Sequence, residues 1–321
     1  MSKGMTFENL ELVRSLDGCP EEAGFVLTHV CIDAYSAKIV GYMDDLIKYS
    51  ASEERASFAK ALKGLAKLVR TIVMELKEMY NRSDAAAYFK FRTFMMGTKG
   101  TSMFPKGVIY EGVSDEYRMY RGPSGAMDIT IPTLDALFNI NMDNPENSLK
   151  NLLREYRECL PKEHYAFLQQ VSVYSPKIIE FCKQSTNSLI MFVQILDSIR
   201  TFRTIHWNLV KNYIFHKTKV THGTSGSDII VYIPQQLIGV IHYMKEICSD
   251  WAPQCQFKTD SELATLTQWL EKTTKREIDI NRDIDKMRNL KKEEQHLKTP
   301  SGCPMSAVQE TSESPIRCPM G

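Results

Sequence analysis

The sequence predicts an all-α protein, and three observations carry that prediction. Apolar residues recur at spacings of three and four: Phe58, Leu62, Leu65, Val69, Ile72, Leu76 and Met79 fall on one side of a helix. No stretch of any length alternates apolar and polar residues with the period of two that a half-buried strand requires. Gly97, Gly100, Pro105, Gly107, Gly112, Gly122, Pro123 and Gly125 collect in one irregular segment, Gly97 to Met127, which leaves the flanks free to run as helices.

Taken in order, a first helix is expected from about Glu22 to Tyr49, with Phe25, Val26, His29, Val30, Ile32 and Ile39 inside it. The Phe58–Met79 stripe forms the next, and Ser50-x-x-Glu53 ahead of it has the pattern of a capping box. The Gly97–Met127 loop is long, and long irregular loops in a helical domain tend to be functional or disordered. Further helices are expected near 130–140, 147–158, 161–172, 186–215, 229–248 and 260–295. Thr265 to Gln295 is rich in Lys, Glu, Arg and Asp, which fits a solvated or partner-facing helix rather than a catalytic one. Beyond Leu297 the chain turns Ser-, Pro- and Glu-rich and loses periodicity. The expected division is therefore a helical domain over 1–297 and a disordered tail over 298–321.

A chain of 321 residues suffices for one large domain or two modest ones. Its 43% hydrophobic and 25% charged content is ordinary for a globular protein. A net charge of +1 argues against broad nucleic-acid binding, which needs a basic stripe to neutralise phosphates. By inspection no apolar run reaches the roughly 20 residues of a bilayer span, and the N-terminus lacks an apolar signal core. No membrane contact and a cytoplasmic location are the expectations. Eight scattered cysteines without a CxxC pair suit reduced thiols better than a disulfide framework.

Three segments carry chemistry. The run from Ile199 to Ile214 is an amphipathic helix in which Ile199, Phe202, Arg203, Leu209, Val210 and Tyr213 share the side of His206. Spacing leaves two readings open: a core histidine bonded to a carbonyl, or an axial haem ligand whose apolar wall accepts the porphyrin while Arg203 pairs with a propionate. In Gly24-Phe25-Val-Leu-Thr28-His29 an aromatic ring and an imidazole sit four apart. That is either a satisfied interior histidine or a pocket that accepts an N–H and stacks a flat ring. Tyr88-Phe89-Lys-Phe91-Arg92-Thr-Phe94 places four aromatics around one arginine. It is either a fork for a carboxylate beside a flat substrate or an arginine snorkelling from an aromatic-rich helix. Thr221-His-Gly-Thr-Ser-Gly-Ser-Asp228 is a small-residue loop able to fold back over a ligand. The Cys303-Pro304-Met305 and Cys318-Pro319-Met320 runs of the tail are either plain disordered chain or accessory thiolate contacts to haem; Cys19-Pro20 shows that the pair is common here.

These segments, with Tyr120-Arg-Gly-Pro-Ser124-Gly125-Ala126 and Gly223-Thr224-Ser-Gly226-Ser227, resemble the haem dioxygenase superfamily of indoleamine 2,3-dioxygenase and tryptophan 2,3-dioxygenase. Met5-Thr-Phe-Glu-Asn-Leu resembles the start of the large haem-bearing domain of indoleamine 2,3-dioxygenase, and Gly107 to Gly112 and Arg154 to Pro161 resemble later segments of it, so the likeness covers roughly residues 5 to 245. It implies a helical fold like that large domain, haem b, O2 as co-substrate and a cellular reductant. Residue by residue, it implies His206 as the proximal iron ligand and Ser124 and Gly125 as a small-residue loop over the distal haem face. Arg203, oriented by Asp135, would serve the cofactor. Arg92 would bind a substrate carboxylate, Phe25, Tyr88 and Phe89 would face the substrate, and Thr224 would close over it. His29 matches the distal histidine of the tryptophan enzymes, where indoleamine enzymes commonly have serine; with Arg92 it forms the expected catalytic pair.

Two departures stand out. The small N-terminal domain that roofs the pocket of indoleamine 2,3-dioxygenase is missing, so a homo-oligomer is expected to supply the roof, or the pocket is open. Gly-Thr-Ser-Gly-Ser also replaces the usual Gly-Thr-Gly-Gly, and serine tolerates positive φ less well than glycine. The expected activity is insertion of O2 across the indole C2–C3 bond of tryptophan or a close derivative, with an N-formylkynurenine-type product. Two alternatives are mono-oxygenation or rearrangement of a modified indole, as in the similar pyrrolnitrin-pathway enzyme, and oxygen binding, as in molluscan myoglobins that resemble this family.

Overall fold

The computed structural model describes residues 4–99, 101–140 and 149–298. Its helices are α1 Pro20–Asp33, α2 Ser36–Ala51, α3 Arg55–Lys77, α4 Met79–Arg82, α5 Ala85–Arg92, α6 Thr130–Leu137, α7 Leu149–Glu158, α8 Lys162–Lys183, α9 Thr186–Val210, α10 His216–Thr218, α11 Ile229–Glu246 and α12 Asp260–Lys298. Among the described residues β pairing is limited to three isolated bridges, one of which, Val108 to Arg118, lies in the glycine-rich loop. The all-α expectation holds. The tail cysteines Cys303 and Cys318 lie outside the described residues, and the described cysteines are free.

The periodic stripe of α3 is the reason it sits at the centre. Phe58, Leu62, Leu65, Val69 and Ile72 are almost wholly buried and pack with Leu189, Phe192, Leu196 and Ile199 of α9, while α2 adds Ile39 and Leu46. A second cluster, with Phe91, Tyr156, Trp207, Phe215, Ile230 and Leu237, lies around the far end of α9. The site described below occupies the space where these two cores meet.

The structure changes several expectations. The helix expected over 22–49 is two, broken at Ala34–Tyr35 with no proline or glycine at the break. The Ser50–Glu53 capping box does not form: Ser50 Oγ donates to the Ile47 carbonyl inside α2, and Glu53 takes a left-handed φ of 60° that turns the chain into α3. Helix α8 runs eleven residues past its expected end at 172, and α12 packs on α9 and α11 within this chain. Trp207 Nε1 and Lys211 Nζ both reach Asp283 Oδ2 of α12, at 2.7 and 2.5 Å. The stretch Pro20–Ala51 also contains an 18-residue window of mean hydropathy 1.2, long and apolar enough to cross a membrane by length and composition, against the expectation from inspection. Here it is two helices with a turn between them, carrying Asp33, Lys38, Asp44 and Asp45, with Leu27, Ile32, Ile39 and Leu46 inside the core.

Gly24 sets the seat of α1. A Cβ there would lie 1.8 Å from the Arg82 carbonyl oxygen, and backbone cannot swing aside. Gly24→Ala is therefore expected to lower stability by about 1–3 kcal/mol. Gly41→Ala, in open space on α2, is expected to raise it by about 0.5–1 kcal/mol through helix propensity. Thermal unfolding of the two variants checks both signs, and a neutral Gly24→Ala would refute the contact.

Candidate active site

His206 stands near the C-terminal end of α9, just before a π-helical turn at Lys211–Phe215. Such turns recur beside functional sites. Two cavities meet at its ring and share His29, Leu76, Ser124, Gly125 and Tyr232. The imidazole is enclosed by the protein yet open to a water-sized probe, because it faces these internal spaces. It makes no side-chain hydrogen bond to a described residue. The carbonyl-bonded core histidine left open by spacing is therefore not what forms. Burial, with the charges of His29 and Arg203 adding to it, pushes its pKa down to about 4, so the ring is neutral at physiological pH. A neutral imidazole aimed into space is a ready metal ligand.

The two cavities differ in character. The first is walled by Phe25, Tyr88, Leu209, Val210 and Ile214 and capped by the Gly223–Ser227 loop, and no Asp, Glu, Lys or Arg lines it. The second holds Asp33, Asp128, Asp135, Arg157 and Arg203. Arg203 is buried, and its Nη2 donates to both carboxylate oxygens of Asp135 at 2.8 and 2.7 Å, the orientation expected from the sequence. Its Nε is buried without a partner. An open neutral imidazole with an apolar slot on one side and guanidinium groups on the other suits a flat macrocycle with an anionic edge, so haem fits the residues present.

Helix α1 brings Phe25 and His29 to the first cavity, their rings 4.7 Å apart, and Tyr88 of α5 stands 5.2 Å from Phe25. Asp84 caps α5 by accepting from the Ala86 and Ala87 amides, which fixes the start of the turn carrying Tyr88. His29 Nδ1 lies 2.8 Å from the Phe25 carbonyl oxygen. A carbonyl only accepts, so Nδ1 carries the proton and Nε2 is left as an acceptor.

Ser124, Gly125 and Thr224 line the first cavity. Arg92 and Phe89 line neither cavity. The Arg92 guanidinium is buried next to Tyr88 of the cavity wall and donates Nη2 to the His222 carbonyl at 2.7 Å, with Nε unpartnered. Ser225 has no positive φ; Gly226 takes it instead, at 79°, so serine is accommodated without strain.

Pattern reasoning missed the residues that hold this loop down. Arg121 donates Nη1 to the Ser225 carbonyl at 2.7 Å and is gripped through Nε and Nη2 by Glu155, which Lys99 also contacts. Those two cations hold the Glu155 carboxyl below its ordinary range. Tyr156 is fully buried with its hydroxyl 2.7 Å from Ser225 Oγ. Thr224 Oγ1 donates to the Pro123 carbonyl, and the Gly97 amide to the Thr224 carbonyl. The one available signal was Arg121 next to the Gly-Pro-Ser-Gly run, since the partners are far away in sequence.

Asp128 was also missed. It opens only to the second cavity, and burial, then the charge of Asp33, pushes its carboxyl up to about 7 against the hydrogen bonds from Thr130 and Ile131 amides. A folded pKa above the unfolded value means a stabilising contribution that is complete below about pH 4 and is lost as pH rises through about 7. Asp128→Asn keeps the acceptor for the Thr130 amide and removes the titration. It is expected to add on the order of 1–2 kcal/mol at pH 8, allowing for solvent in the cavity, and little at pH 4. Urea unfolding at the two pH values measures this, and equal gains at both would overturn it.

A family model described as Indoleamine 2,3-dioxygenase matches residues 1–276. Indoleamine 2,3-dioxygenase 1 of Rattus norvegicus is 24% identical over 247 residues, covering 71% of this chain and 60% of its own length. An indoleamine 2,3-dioxygenase of Aspergillus candidus is 27% identical over 231 residues, covering 68% of this chain and 56% of its own. A myoglobin of Haliotis madaka is 22% identical over 244 residues, covering 75% and 63%. The chain thus spans roughly three fifths of the length of these relatives.

Proposed function

The chain belongs to the indoleamine 2,3-dioxygenase family, and from that premise we propose that it is a haem-dependent dioxygenase acting on the indole ring of tryptophan or a close derivative. The observation that carries this is His206: a neutral imidazole without a side-chain hydrogen-bond partner among the described residues, set between an apolar and a charged cavity.

In this proposal His206 would hold the iron, Arg203 and Arg157 would pair with the anionic groups of haem b, and Asp135 keeps Arg203 in place. Ferrous haem would supply the activation of O2 for addition across the indole C2–C3 bond, with a cellular reductant maintaining the iron. The protein's own part is positioning. Phe25 and Tyr88 flank a flat ring. His29 Nε2, an acceptor because Nδ1–H is committed to the Phe25 carbonyl, takes the indole N–H and sets the ring's rotation. Ser124 and Gly125, being small, keep their part of the cavity wall low, and the docked Gly223–Ser227 loop excludes water. Arg92, bonded to the loop backbone, is given no part in the chemistry.

Haem-loaded, reduced protein mixed with L-tryptophan or an indole and O2 should yield a product heavier by two oxygen atoms. His29→Ala should lower kcat/KM by about 100-fold, in the range for loss of a positioning or acid–base group. Haem uptake without any product would turn the choice to oxygen binding, a second reading favoured by the myoglobin match and by the position of Arg92 outside the cavity. Failure to bind haem would sink both.

A further inference from the structure

We propose that residues 103–120 form a dimerisation surface, through which two copies of this chain pair end for end by the hairpin around the Val108–Arg118 bridge. The inference goes beyond the dioxygenase reading and needs neither haem nor substrate.

Met103, Phe104, Val113, Tyr117, Met119 and Tyr120 are all exposed. Backbone bonds gather them on one short hairpin. Val108 and Arg118 donate to each other's carbonyls at 3.0 and 2.9 Å, the Val113 amide donates to the Tyr110 carbonyl at the tip, and the Gly107 amide to the Phe104 carbonyl at the base. The rings of Tyr110 and Tyr120 stand 5.5 Å apart across it. Grouped apolar exposure marks an interaction site, and aromatic rings, methionine and arginine are the residues that protein interfaces favour.

Charge indicates what covers this surface. Lys106 and Arg118 stand at the base of the hairpin, and Glu111, Asp115 and Glu116 toward its tip. None of the five forms an ion pair with a described residue; Arg118 Nη1 reaches the Tyr120 hydroxyl at 3.4 Å. A basic base and an acidic tip complement themselves. A second hairpin turned end for end sets each tip against the other's base, with the apolar side chains between. That is the isologous contact of a two-fold dimer, and a net charge of +1 opposes it little. A partner of one sign would satisfy only one end. The surface is also continuous with the site, because the strand after Arg118 leads to Arg121, which holds the Ser225 carbonyl.

The test is sedimentation velocity of the full chain from about 1 to 100 µM, where wild type should pass from monomer to dimer. Two variants each reverse one end: Lys106→Glu with Arg118→Glu, and Glu111→Lys with Asp115→Lys and Glu116→Lys. Each alone sets like charges face to face and should weaken the dimer by about 100-fold or more. Mixed in equal amounts, the two should form a heterodimer, since every acidic end then meets a basic one. Recovery in the mixture also shows that both variants are folded. Wild type that stays monomeric throughout overturns the proposal, as does a dimer that neither variant weakens. Loss of pairing in each variant, with wild-type helical circular dichroism and no recovery on mixing, overturns the end-for-end arrangement. Should either variant lose its helical signal, Val113→Ser with Tyr117→Ser takes its place, and a dimer as tight as wild type then overturns the surface.

Discussion

His206→Ala is expected to leave the helical fold intact and to weaken haem binding by more than about 100-fold, a larger loss than that caused by removing a residue that merely supports a ligand. The fold should survive because the side chain makes no hydrogen bond to a described residue, so truncation orphans none of them. It only enlarges a space that already exists between the two cavities. The pH dependence follows from the folded pKa of about 4, below the ordinary value of 6.5. A depressed pKa means the contribution to stability is complete above about pH 6.5 and is lost as pH falls through about 4. Between those values the unfolded chain takes up a proton that the folded one refuses. Wild-type apoprotein should therefore lose stability from pH 6.5 to 4 faster than His206→Ala does. Haem uptake should stay level down to about pH 5 and fail below about 4, where the proton competes for the same nitrogen. Spectral titration with haem reads the affinity and urea unfolding the stability; a variant that binds haem with an unchanged spectrum would remove His206 from the iron.

Much of this arrangement was legible in the chain because helical periodicity is a local property. The stripe from Phe58 to Met79 becomes the buried side of α3 and the following α4, and the four-residue spacing of Phe25 and His29 brings both to one cavity. Arg203 is three residues before His206, and its match to Asp135 held across 68 positions because a family likeness, not a local pattern, suggested it. The break at Ala34–Tyr35 carried no breaker residue. The direction of Arg92 was not legible either: its aromatic neighbours are visible, but its partner, the His222 carbonyl, lies 130 residues on and is backbone, which no residue pattern announces. The Arg121–Ser225 contact, 104 residues apart, is hidden for the same reason. Asp128 gave no signal in the sequence, because what raises its carboxyl is burial together with Asp33 of α1, far away in the chain. Local spacing thus exposed the groups that point into the cavities and concealed those that close them.

Closing contacts concentrate at Gly122, and Gly122→Ala should have a large effect on the loop. A Cβ at Gly122 would lie 2.3 Å from the Met95 carbonyl oxygen, 2.5 Å from that of Thr224 and 2.6 Å from the Gly97 amide nitrogen. All three are backbone atoms, on the 95–97 segment and the 222–227 loop, so no flexible side chain can yield. Relief requires the 95–97 segment and the 222–227 loop to part, which breaks the hydrogen bond from the Gly97 amide to the Thr224 carbonyl and pulls Ser225 from Arg121 and Tyr156. The expected cost is about 1–3 kcal/mol of stability, with faster proteolysis at 222–227. An ångström of misplacement at the cavity mouth is expected to cost about 100-fold in kcat/KM. Gly125→Ala is the matched control, three residues away. Its added Cβ would meet only Asp128 Oδ2, at 3.9 Å, so stability and loop protection should change by less than about 0.5 kcal/mol. Limited proteolysis and thermal unfolding of the pair decide the matter. Equal behaviour of the two variants would mean that the loop is not held by backbone approach at Gly122, and that water exclusion at the first cavity has another source.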